Sequence, residues 1–220
     1  MSSATPLITP AFLFNVSANC HRFDGSWSRQ GAELDVRHGI PSFRAELDNG
    51  PLFGDFRLAW SANGLWIDLR VSGKKQTPWC RETRLEDSDG LSIWLDARNT
   101  QGVHRANRFC HRFAFLPQGA GRLLDEPCAK LVSIARAKEH PKPVADGQLK
   151  VYSEKRIDGY LLRAFIPGEA ITGYDPVEHS RIGFSYAVID RELGWQSYTL
   201  GPEYPFTSDP TLWGSLSLVD

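Results

Sequence analysis

Closely spaced cysteines, a second methionine, long apolar runs and blocks of like charge are all missing from this 220-residue chain. The four cysteines, Cys20, Cys80, Cys110 and Cys128, include no CxxC pair, so the close spacing that marks a tetrahedral zinc site is absent. They suit free, mostly buried thiols in a reducing compartment, with one or two disulfides in an exported protein as the alternative. No apolar run approaches the ~20 residues a membrane helix needs. The segment Met1 to Phe14 lacks the basic start and long apolar stretch of a signal peptide, so a cytoplasmic location is expected. A net charge of −1, with lysine and arginine scattered, leaves no electrostatic footprint for nucleic acid or an anionic membrane.

What is present is alternation. In Leu65-Trp-Ile-Asp-Leu-Arg-Val71 the apolar residues Leu65, Ile67, Leu69 and Val71 share one face. Leu91 to Asp96 repeats the pattern, and Phe109, His111, Phe113 and Phe115 line up in the same way. Further strands are expected at 131–136, 149–156, 159–166, 182–189, 197–200 and 215–219. Turn signals separate them at Asn63-Gly64, Asp89-Gly90 and Asp158-Gly159, the last reading as a tight hairpin. Residues 129–139 suit a helix by composition and a strand by pattern, and Pro167 to Ile171 suits a single turn. The expected fold is all-β, a two-sheet antiparallel β-sandwich of jelly-roll type with little helix, formed by residues 1–220 as one domain. Residues 1–44 carry the least pattern, and terminal mobility is expected there.

No catalytic constellation assembles. There is no GxSxG, and Cys110 and His111 are strand neighbours that point to opposite faces. The acid pairs Glu46 with Asp48 and Asp87 with Asp89 lie near turns, where solvated carboxylates are the rule. Glu86-Asp-Ser-Asp89 places three carboxylates ahead of a strand, and Asp190, Glu192 and Asp209 fall in expected loops; Asp87 and Asp89 are the candidates for a hard cation such as calcium. Aromatics are the informative class. Of seven tryptophans, Trp79 stands in a polar loop and Trp195 follows a Leu-Gly turn, while Tyr204 and Phe206 lie in another loop. A planar ring on a loop offers an apolar face to a sugar or to a partner side chain.

Four blocks in order then resemble the family 9 carbohydrate-binding modules and their wider DOMON relatives. These are Phe56 to Trp60 with Leu65 to Val71; Pro78-Trp79 with Asp89 to Asp96; Asp158 to Pro167; and Ile182 to Asp190. The ending, Trp213 to Leu218, is also similar to the family's terminal strand, so the resemblance covers about residues 45–220. It implies a non-catalytic two-sheet sandwich that clamps a glycan end between two aromatics. Trp79 matches the first, with about eight extra residues, Arg81 to Ser88, before its strand; the second falls at Phe206-Thr207, beside Tyr204. The family's polar contacts are replaced: Ser92 stands at the glutamate position, the arginine and asparagine positions fall near Phe113 and Phe115, and the hairpin glutamate is Arg163. The resemblance therefore implies a weak site formed by Trp79, Ser92, Tyr204 and Phe206, with calcium as the cofactor such sandwiches often hold. The alternative is a sandwich reused for a protein partner. The haem-binding relatives use an axial methionine with His or Lys, and with Met1 alone that branch would need two histidines.

Overall fold

The computed structural model describes residues 10–220. Eleven strands dominate: β1 (Ser17–Arg22), β2 (Gly54–Ser61), β3 (Gly64–Ser72), β4 (Gly90–Asp96), β5 (Cys110–Ala120), β6 (Glu126–Val132), β7 (Lys150–Arg156), β8 (Gly159–Pro167), β9 (Arg181–Asp190), β10 (Gly194–Ser197) and β11 (Gly214–Val219). One short helix, α1 (Phe43–Asp48), precedes β2. Ser42 caps its N-terminus by accepting from the Ala45 N–H, and Asn49 ends it in the left-handed conformation at φ 53°.

The strands form one continuous sheet in the order β6-β5-β4-β9-β11-β1-β2-β3-β8-β7, with β10 beside β9. The sheet wraps so that β6-β5-β4-β9 face β2-β3-β8-β7 across the core. Leu91, Ile93, Leu95, Phe113, Phe115, Phe184, Tyr186 and Val188 pack from one side against Phe56, Leu58, Leu65, Ile67, Leu69, Val71 and Leu162 from the other. These are the alternate apolar positions of each strand, and their burial drives the wrapping. The expected all-β sandwich is the fold found, with one addition: β1 pairs in parallel with both β11 and β2, so the sheet is mixed.

β1 lies within the segment of least pattern, yet it sits at the middle of the sheet. It is held by backbone pairing on both edges, and Cys20 is its one fully buried side chain, so it needs no apolar alternation. Two strands are displaced from their expected spans. β6 ends where it was expected to begin, and β10 precedes Tyr198 because Ser197 pairs with Ala187 before the chain leaves the sheet. The Pro167–Ile171 turn is present as a 3-10 turn at Gly168–Ala170. The hairpin glycines follow the tips rather than forming them: Gly64 and Gly159 start β3 and β8 with φ of +141° and +154°. A Cβ on either would strike the carbonyl oxygen of Ile166 or Val71 on the neighbouring strand.

All four cysteines are free and buried. Burial pushes the Cys80 and Cys110 thiols up to about 12, with Asp89 and Asp96 respectively adding to it.

Candidate functional site

β4 is the strand that organises the candidate site, because two loops meet it. Its inner residues Leu91, Ile93 and Leu95 belong to the core, so Ser92 and Trp94 face outward. Residues 73–89 approach its start, and residues 198–213 cross its outer face.

At the start of β4, Asp89 is fully buried. Its Oδ1 accepts from the Arg191 N–H at 2.9 Å, and its Oδ2 accepts from the Trp79 N–H at 3.1 Å. The Asp89 N–H in turn donates to the Trp79 carbonyl. The balancing charge comes from Lys74, whose Nζ lies 2.5 Å from Asp190 Oδ2, 3.2 Å from Asp89 Oδ2 and 3.8 Å from Glu192. The Lys74 side chain is 2% exposed. Burial pulls its ammonium down, but the hydrogen bond and charge of Asp190, with those of Asp89, outweigh this and hold it above the usual lysine range. Asp190 Oδ1 also caps the following turn by accepting from the N–H groups of Glu192 and Leu193. This cluster ties the ends of β3, β4 and β9 together and pins the backbone of Trp79.

The Trp79 ring is half-buried and ringed by cations. The guanidinium carbons of Arg191, Arg81 and Arg84 lie 4.0, 5.3 and 5.6 Å from its centre. The extra residues Arg81 to Ser88 fold down over the outer sides of β5 and β6. Leu85 packs against Cys80, Leu116 and Cys128; Glu86 forms a two-pronged pair with Arg112, and Glu82 pairs with Lys130.

The second loop does something different. Phe206 is fully buried, edge-on to Trp94 at 5.2 Å, in a small outer core with Ala187, Ile189, Leu200 and Trp213. Two indole N–H groups fasten it: Trp94 donates to the Thr207 carbonyl and Trp213 to the Phe206 carbonyl. Tyr204 is half-buried against this core and stacks on Phe12 at 5.4 Å. Ser92, between Ala114 and Ala187 in the sheet, is 4% exposed.

Among the residues singled out from sequence, Trp79 and Asp89 are brought together, and so are Tyr204 and Phe206, but as packing. Phe113 and Phe115 lie in the main core. Asp87 faces solvent and pairs with Arg84, whereas Asp89 faces Lys74. Arg163 of β8 pairs with Asp68 of β3 and with Glu33, and Asp68 also accepts from the Leu34 N–H. Among the described residues no group of three or more His, Cys, Asp or Glu side chains is disposed to hold a metal ion; the ammonium of Lys74 supplies the positive charge between Asp89 and Asp190. Lys74, Arg81, Arg84 and Arg191 escaped the sequence reading. The only signal for Lys74 was its place after Gly73 at the end of a strong strand, opposite two strand-end aspartates.

Solved structures with this architecture exist. A carbohydrate binding module family 9 protein from Caldicellulosiruptor kristjanssonii, in complex with cellotriose, superposes with a TM-score of 0.59 at 13% identity, covering 93% of this chain and 94% of that one. The fold is shared with family 9 modules. A second structure from the same organism, in complex with glucose, gives a TM-score of 0.58 at 15% identity over 92% and 94% of the two chains. No family model matches this chain, and no curated protein matches it in sequence.

Proposed function

We propose that this chain is a non-catalytic domain resembling a carbohydrate-binding module, which takes a sugar or glycan end against the Trp79 ring. The observation that carries the proposal is the half-buried indole at a strand end, its backbone fixed by the buried Asp89. A ring held in advance loses little freedom on binding. The neighbours of the same fold, bound to cellotriose and to glucose, support the ligand class. Binding is weak in this proposal, in roughly the millimolar range or about −4 kcal/mol. Ser92, Phe113, Phe115 and Phe206 are all buried, so they cannot hydrogen-bond a sugar or flank its second face.

The test is a titration of mono- and oligosaccharides followed by tryptophan fluorescence, in wild type and Trp79→Ala. Saturable binding that falls by about 1–3 kcal/mol in the mutant is expected. Binding undiminished in the mutant would move the site elsewhere. The second reading, a sandwich used for protein association, is favoured by the closure of the outer β4 face under Phe206; silence across the whole sugar panel would decide for it.

A further inference from the structure

Two of the three guanidinium groups over Trp79 have no carboxylate partner. Arg84 pairs with Asp87. The other acids nearby are taken: Glu82 by Lys130, Glu86 by Arg112, and Asp89 and Asp190 by Lys74. Glu192 accepts from the N–H groups of Lys75 and Gln76. The Arg191 side chain has no hydrogen-bond or carboxylate partner among the described residues; Arg81 has only the carbonyl of Cys80. Both nevertheless lie over the indole, and Arg191 is exposed. The nearby carboxylates are engaged elsewhere, so the charge that faces the ring itself is that of guanidinium groups.

A neutral sugar approaching that ring must displace a guanidinium that lies over it and offers that group only neutral hydroxyl acceptors. A sugar bearing a carboxylate can lay its apolar face on free indole while its oxygens take the N–H edge of the same guanidinium, a charge-assisted and two-pronged contact. Resting on the proposed sugar-binding role, we infer that Trp79, Arg81 and Arg191 form a subsite for a uronic acid residue, so that the ligand class is an acidic glycan.

Short oligomers of glucuronic, galacturonic and mannuronic acid, each paired with its methyl ester, test this by calorimetric titration at low salt. The ester keeps size and linkage and removes the charge. At least one free acid is expected to bind about tenfold or more tightly than its ester, with the preference shrinking as salt is raised and falling to within about twofold in Arg191→Gln or Arg81→Gln. Acid and ester bound equally, and both weakened in Trp79→Ala, would overturn the acidic ligand and leave the sugar platform standing. A preference for acid that survives both arginine substitutions would also overturn the subsite. No binding of any acid, ester or neutral sugar would overturn the inference together with the sugar-binding role.

Discussion

Trp79 and Phe206 both belong to loops that meet β4, one at Asp89 and the other at Trp94, and they finish in opposite environments. The difference lies beneath them. Under the Phe206 loop Trp94, Ala187 and Ile189 of the outer sheet face belong to one buried apolar cluster, so an aromatic arriving there lowers the free energy most by going in. Under the Trp79 loop lie the ends of three strands and their aspartates, closed by Lys74. A polar floor of this kind fixes a backbone by hydrogen bonds and leaves the ring at the surface. Two loop aromatics can therefore share a sequence context and differ in role, because the strand residue opposite each decides whether it packs or presents.

The sharpest way to break this contrast is to remove its parts in turn. Phe206→Ala should cost about 3–5 kcal/mol, the usual range for a fully buried phenylalanine, whereas Trp79→Ala should cost well under half as much; chemical denaturation measures both. Equal losses would mean that the two aromatics are packing residues alike. Lys74→Met should also cost about 3–5 kcal/mol, because it leaves Asp89 and Asp190 buried without their cation. Its distinguishing mark is a Trp79 loop that becomes sensitive to proteolysis while the Phe206 loop does not. A near-neutral Lys74→Met would show that the charged floor holds nothing in place.

Acid should act elsewhere on the sheet that carries both regions. On β5, His111 accepts the Thr172 N–H at Nε2 and contacts the Phe109 carbonyl through Nδ1, which as N–H donates. Burial depresses the imidazole from 6.5 to about 4, although the hydrogen bond to Phe109 pulls the other way. Because the folded value lies below the unfolded one, the neutral ring's contribution is present in full above pH 6.5 and is lost as pH falls towards 4. At about 1.4 kcal/mol per pH unit that is roughly 3 kcal/mol. Denaturation midpoints between pH 7 and 4 should show this slope in wild type and a flatter one in His111→Gln; identical slopes would remove the assignment.

The strands with inward alternation, such as Leu65 to Val71 and Leu91 to Asp96, were legible because a half-buried strand writes its burial into every second residue. β1 was not, since its place depends on backbone pairing that any sequence can make. Trp79 was legible as a ring in a polar loop. Phe206 was expected beside it as a second ligand contact because no local pattern reveals that Trp94, Ala187 and Ile189 lie across from it. The Lys74 cluster joins residues 15 and 116 positions apart, a separation that leaves no trace in any window of sequence.

In the proposed binding role, ligand meets the Trp79 rim and not the face beneath the Phe206 loop. Fluorine NMR of protein carrying 5-fluorotryptophan, with its seven tryptophans resolved and the Trp79 signal assigned through Trp79→Phe, reads this directly during a glycan titration. The Trp79 resonance should move saturably while those of Trp94 and Trp213 stay in place. Movement of Trp94 or Trp213 with a stationary Trp79 would contradict it.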